Sequence, residues 1–184
     1  MERAARETLV GLGFEDLLNF HMISERENYE RMGVDPDSDA FGGGHPVRIE
    51  GPYSEDYTML RTWALPSLAM VLENNTAEVG FAAARDDDQS SGVAERRTVA
   101  GALARADSSY EDAKARLQTI ARNFGVELET PATTHPSFID GRAASVVIDG
   151  ETVGVVGELH PRVLVEHDLE VPVAAFEFDL AALR

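Results

Sequence analysis

Five histidines are the groups in this chain best suited to ligate a metal or move a proton near neutral pH. His45, His135 and His160 each precede a proline, and His21 and His167 stand alone. None lies in an HExxH or similar ligand spacing, and with no cysteine available a structural zinc site has no support. A His-Pro step reads instead as a turn or a helix start. The run Gly42-Gly43-Gly44 lacks the lysine and following helix that a phosphate cradle needs, and no GxSxG elbow marks a hydrolase. Carboxylates are too many to be selective, but Glu158 sits among Val155, Val156 and Leu159, two residues before His160. A carboxylate drawn into such surroundings needs a partner to stay charged, and Arg142 is the candidate. A structural ion pair is the plainer account. A catalytic group built from Glu158, His160 and Arg142 is the sharper one, and burial of these residues in a packed hairpin would exclude it.

Composition narrows the classes further. The 184 residues are 43% hydrophobic, enough for one folded domain. Sixteen basic against thirty-three acidic residues give a net charge of −17, and Lys114 is the single lysine. So acidic a surface repels phosphate backbones over most of its extent. The acids spread from Glu2 to Asp179 rather than gathering in a tail, which points to adaptation to high salt more than to an acidic interaction patch. There is no apolar run of roughly 18 residues or more and no apolar leader, so neither a membrane span nor a signal peptide is expected; the absence of cysteine leaves the redox compartment open, with a cytoplasmic protein the easier reading.

The elements that must position these groups centre on residues 54–75. Glu55 and Asp56 suit a helix's first turn behind Ser54, and Tyr57, Leu60, Ala64, Leu68, Val71 and Leu72 carry helical spacing, broken at Pro66. Two helical pieces are predicted there. Upstream, residues 3–12 form a helix stopped by Gly13, residues 14–22 a strand, Ser24 with Glu27 a capping box for a short helix, residues 35–45 a turn-rich loop and residues 47–49 a strand. Downstream, residues 78–84 and 98–104 pair across a charged loop. Ser108 with Glu111 caps a helix ending at Gly125, and Asp149-Gly150 turns a hairpin of residues 143–148 and 152–159. Pro161 opens a last short helix, and Phe176, Phe178 and Leu180 alternate with acids as in a half-buried strand. Hairpins interleaved with helices make this α+β with an antiparallel sheet, a single domain over residues 1–184.

Several of these residues run in the order of one family. Glu55, Tyr57, Leu60-Arg61-Thr62, Leu65-Pro66 and Asn74-Asn75 resemble a signature of the core domain of the archaeal-type phenylalanyl-tRNA synthetase β subunit. His135-Pro136, Phe138, Gly141-Arg142-Ala143-Ala144, Pro172-Val173 and above all Gly157-Glu158-Leu159-His160-Pro161 continue it, so the likeness spans the whole chain. Tyr57, Arg61, Pro66, Arg142, Glu158 and His160 are its structural signature here. The resemblance implies a class II aminoacyl-tRNA synthetase-like core, near the C-terminal end of the subunit, that is catalytically degenerate. A working site would need an arginine for the ATP α-phosphate on the strand 79–84, where alanines stand, and a Gly-x-Gly with arginine near the C-terminus, where Asp179–Arg184 offers none. The resemblance further implies that ATP and Mg are used by the whole enzyme, with no cofactor or metal bound by this domain. It implies a catalytic α subunit as partner, heterotetrameric assembly, and tRNA(Phe) engaged through the whole complex. Editing and helical metal-binding domains belong to upstream parts of such subunits, not to this chain.

Residues 3–15 resemble the degenerate first class II motif, which builds subunit interfaces. Ala5, Leu9, Leu12 and Phe14 are therefore the expected contact with the α subunit, and the fragment alone would self-associate there. Between Asn75 and Ala77 the family carries a short extra segment that is missing here. The rival account is a stand-alone acidic protein-binding module with no enzyme partner.

Overall fold

Two long hydrophobic hairpins, and the strand that joins them, lay out the molecule. The computed structural model describes residues 1–184. In chain order the elements are α1 (Glu2–Gly11), β1 (Glu15–Asp16), β2 (Met22–Ile23), a π-turn at Arg26–Glu30, β3 (Val47–Arg48), β4 (Met59–Leu60), α2 (Leu65–Ala69), β5 (Thr76–Arg85), β6 (Val93–Ala104), α3 (Tyr110–Phe124), β7 (Leu128–Glu129), β8 (Phe138–Ile148), β9 (Glu151–Leu159), α4 (Pro161–Glu166), β10 (Val173–Asp179) and a closing 3-10 turn at Leu180–Leu183. Seven strands form one sheet in the order β1-β5-β6-β10-β9-β8-β7, and β2-β4-β3 make a small second sheet. The fold is α+β as the sequence implies. It is not purely antiparallel, because β1 runs parallel to β5. No helix is long and apolar enough to cross a membrane.

Both faces of the central strands are buried. On one face Val99, Leu103, Phe176 and Phe178 meet α1 and α3 through Ala5, Leu9, Leu117 and Ile120. On the other, Ala100, Ala102, Val173 and Ala175 are covered by α2, the small sheet and α4 through Trp63, Leu65, Leu68 and Val163. β10 is therefore buried on both sides, and Glu177 is 0% exposed, so the half-buried strand expected from Phe176, Glu177 and Phe178 is a fully buried one.

Local signals account for most elements. Ser109, not Ser108, caps α3: its hydroxyl accepts from the Asp112 amide while the Asp112 carboxylate accepts from the Ser109 amide. Both serines have an acid three positions on, Glu111 and Asp112, but the Ser108 hydroxyl is taken by the Arg105 amide, which leaves Ser109 to cap. Asp149 and Gly150 both take positive φ, 50° and 86°, as a tight two-residue hairpin turn requires. The charged loop between β5 and β6 shrinks to residues 86–92, because the pairing extends to Arg85 and Val93. Residues 14–22 pair only at the two ends of the expected strand.

The largest correction falls on residues 54–64. No helix forms there. The Ser54 hydroxyl accepts from the Asp56 amide in a local turn, and Met59 and Leu60 form the middle strand of the small sheet. Arg61 then turns fully inside. Only the second helical piece exists, a short α2 with Pro66 in its first turn, where the missing N–H costs nothing.

Candidate functional site

The sheet face under α2 is where the chain gathers buried charge. Glu78 on β5, Ala100 on β6 and Glu177 on β10 lie opposite one another in one cross-strand row. Side chains of opposed residues share a face, so two carboxylates flank a single alanine beneath α2 and its approach.

Arg61 answers Glu78. Its Nη2 and Nη1 donate to Glu78 Oε1 and Oε2 at 2.6 and 3.1 Å, and its Nε donates to the Phe81 carbonyl at 2.9 Å. Both side chains are 0% exposed. Asn19 donates to Glu78 Oε2 at 3.0 Å. Gly80 makes room for this fork, since a Cβ there would stand 2.2 Å from Arg61 Nη2. A charge-assisted bidentate pair with its remaining positions satisfied is the form in which a buried ion pair is tolerable.

Glu177 has no salt-bridge partner. Its oxygens accept from the Ala64 and Leu65 amides at 2.8 to 2.9 Å and from the Thr98 hydroxyl at 2.8 Å. The carboxyl thus sits where the orphan amides at the start of α2 need an acceptor. Burial pushes its pKa above the usual carboxylate range, with Arg96 and these donors pulling the other way. Arg96 donates to the Thr62 carbonyl at 2.7 Å and lies 4.4 Å over the Phe41 ring. The face therefore does carry two cations, Arg61 and Arg96, which the alanines of residues 79–84 do not suggest. Both are engaged by the protein itself.

Above this row the space is filled. Trp63, fully buried, donates from its indole to the Asn28 carbonyl at 3.3 Å. The Asn28 side chain exchanges hydrogen bonds with Thr62, whose hydroxyl donates to the Gly42 carbonyl. His135 is buried beside Trp63 and Phe138. Its Nδ1 accepts from the Ser137 amide and its Nε2 lies 2.8 Å from the Phe41 carbonyl, so it is the neutral tautomer protonated at Nε2. Burial lowers its pKa accordingly.

The other sequence candidates separate from this row. Glu158 does pair with Arg142, Nη1 to Oε2 at 2.6 Å, and also accepts from the Tyr110 amide at the start of α3. His160 is exposed and caps α4, its Nδ1 accepting from the Arg162 amide. Glu158 and His160 each serve a helix start, so the three residues compose a structural joint. Tyr57 is exposed and Pro66 buried. Ala5, Leu9 and Phe14 turn inward onto the chain's own sheet, at 2, 1 and 4% exposure, while Leu12 is half-buried. Three of the four residues of the expected contact stripe on α1 are thus spent on the chain's own core, and Leu12 alone keeps part of its surface free. Of the remaining histidines, His21 packs at a tilt against Phe81 and His45 lies 3.5 Å from Asp37, at the surface. His167 is buried with neither ring nitrogen partnered, its pKa driven down to about 4 by burial and by Arg31. Sequence patterning missed Glu177 and Arg96 because acids and arginines at alternate strand positions ordinarily point to water.

Two surface hollows lie away from the row. One, of about 670 Å³, is lined by His135, Asp140, His160 and Arg162. The other, of about 760 Å³ and mostly apolar, lies between the chain before β2 and the end of α2.

Comparison with known proteins follows the same lines as the geometry. The model of the family described as "Phenylalanyl tRNA synthetase beta chain CLM domain" matches residues 1–180. The chain is 68% identical over 192 aligned positions to the phenylalanine–tRNA ligase β subunit of Halorubrum lacusprofundi, covering 100% of this chain and 33% of that protein. It is 66% identical to the Halobacterium salinarum β subunit, covering 100% and 34%, and 41% identical to that of Methanocella arvoryzae, covering 98% and 34%. The chain thus spans about a third of the length of these relatives. The first two come from halophilic archaea, in keeping with the acidic, lysine-poor composition. By a match running almost from end to end, this chain belongs to the phenylalanyl-tRNA synthetase β chain CLM domain family.

Proposed function

We propose that this chain is a class II synthetase-like, catalytically degenerate core module of a phenylalanine–tRNA ligase β subunit, from the C-terminal part of that subunit. It supports assembly with the catalytic α subunit, and the assembled enzyme, using ATP and Mg, charges tRNA(Phe) with phenylalanine in the cytoplasm. The observation that carries this reading is the filled sheet face. Adenylate formation needs open cations where phosphoryl charge develops. Here Arg61 is clamped by Glu78, Arg96 is engaged by Thr62 and Phe41, and Trp63, Leu65 and Leu68 occupy the volume over Ala100 and Ala102. The residues on this face do not fit an ATP–Mg site: its two buried carboxylates already hold Arg61 and the amides opening α2. What the fold offers instead is rigidity. A sheet covered on both faces is a scaffold on which a second subunit can be seated.

Phenylalanine-dependent ATP–pyrophosphate exchange tests the reading. The purified chain is expected to give no turnover above buffer, and a complex with the α subunit is expected to turn over. Exchange by the chain alone would overturn the degenerate-site reading.

A further inference from the structure

Leading into β2, residues 18–23 alternate in exposure, in an inverted sense. The inward set is partly polar: Asn19 donates to buried Glu78, His21 packs against Phe81, and Ile23 enters the core. The outward set, Leu18, Phe20 and Met22, is wholly apolar and 77, 69 and 40% exposed. A half-buried strand ordinarily turns its polar residues to water. Tyr57 meets Phe20 edge-to-face at 5.7 Å, and Met70 and Val71, each 48% exposed, form the opposite wall of the same 760 Å³ groove. With full side-chain areas of roughly 200 Å², these six expose on the order of 600 Å². That is the upper end for the largest patch on a monomer, and most of one side of a standard interface of about 800 Å² per partner.

Charge decides what can cover it. The groove and the hollow adjoining it are bordered by Glu15, Asp56 and Glu73, with no arginine or lysine lining either one. Elsewhere the chain's carboxylates commonly find an arginine, as in Glu2–Arg97, Asp16–Arg6 and Glu25–Arg48. These three acids form no salt bridge. Two copies joined symmetrically through this groove would set acidic rim against acidic rim with no cation between them. We infer that the groove made by Leu18, Phe20, Met22, Tyr57, Met70 and Val71 is the seat of a different polypeptide, one presenting apolar anchor side chains flanked by arginine or lysine. Its source is the catalytic α subunit, a step that rests on the reading in the preceding subsection.

The test is capture of the α subunit by the chain over a KCl series descending from molar salt, with Trp63 fluorescence verifying that each variant keeps its core. Phe20→Arg combined with Val71→Arg is expected to weaken capture by about thirtyfold or more, the size of a central hot-spot loss. Glu15→Arg with Glu73→Arg, which leaves the apolar groove intact, is expected to weaken it by about tenfold at the lowest salt at which the chain stays folded. If the folded Phe20→Arg/Val71→Arg chain captures α as well as wild type does, the groove is not the seat, while the α-subunit reading survives. If the charge-reversed chain binds unchanged or more tightly, a basic-flanked occupant is refuted. Should wild type capture no α, or should it dimerise through these residues when α is present, both the occupant and the reading beneath it fall.

Discussion

Glu78→Gln isolates the most consequential buried interaction. The change keeps shape and one acceptor but removes the charge, leaving the Arg61 guanidinium at 0% exposure facing an amide whose NH₂ points at its own donors. Breaking one side of a buried pair costs about 3–5 kcal/mol, against a total stability of about 5–15 kcal/mol. At roughly 2–4 °C per kcal/mol for a domain of this size, the melting temperature should fall by about 10 °C. Urea unfolding in molar KCl measures the loss directly. The companion variant Arg61→Met/Glu78→Met removes both charges and should recover most of it, because two apolar groups leave no unpaired ion. A Glu78→Gln loss below about 1 kcal/mol would mean that water reaches the pair, and the account of this face would fail.

Two further outcomes concern protons. Glu177 holds its proton more tightly folded than unfolded, so its contribution is full below the ordinary value of 4.5 and declines as pH rises through and above it. Glu177→Gln can still accept from Ala64 and Leu65 and can donate to Thr98, so its urea midpoint should gain on wild type between pH 4.5 and 7; a constant difference would contradict the raised pKa. His167 behaves oppositely: its folded value of about 4 lies below the ordinary 6.5, so the unfolded chain binds the proton first and stability drops as pH falls across that window, by roughly 3 kcal/mol. Calorimetry of His167→Leu over pH 4 to 6.5 should show a flatter profile than wild type, and parallel profiles would refute the assignment.

What could be read in advance divides along physical lines. α1, α3 and the turn at Asp149-Gly150 are governed by local chemistry, namely capping serines, glycines at positive φ and helical spacing, and these were legible nearly to the residue. The stretch 57–64 was not. Tyr57, Leu60 and Ala64 satisfy helical spacing, but Leu60 is drawn into a ladder between β2 and β3, strands that are distant in sequence. Arg61 is drawn inside by Glu78, seventeen positions on. Glu158 with Arg142 could be foreseen from one hairpin's neighbours. Glu177 could not, because its partners lie 112 and 113 positions away and are backbone amides, which every residue possesses. The α1 stripe was placed correctly on a helix face, yet periodicity alone does not say whether the surface it meets belongs to the same chain.

The position of β10 carries a consequence for how the chain reaches this state. It is the last strand in sequence but stands fourth of seven, between β6 and β9. Each hairpin, β5 with β6 and β8 with β9, can zip locally, and each then presents one unpaired edge at what becomes the middle of the sheet. Those edges cannot be satisfied during synthesis until the segment around Phe176 has left the ribosome, and the amides that open α2 wait for Glu177 over the same interval. Folding is thus governed by closure of long loops and waits on β10 to join the two hairpins. A nascent chain stalled before residue 173 would display two sticky edges at once, the circumstance in which holding chaperones matter most.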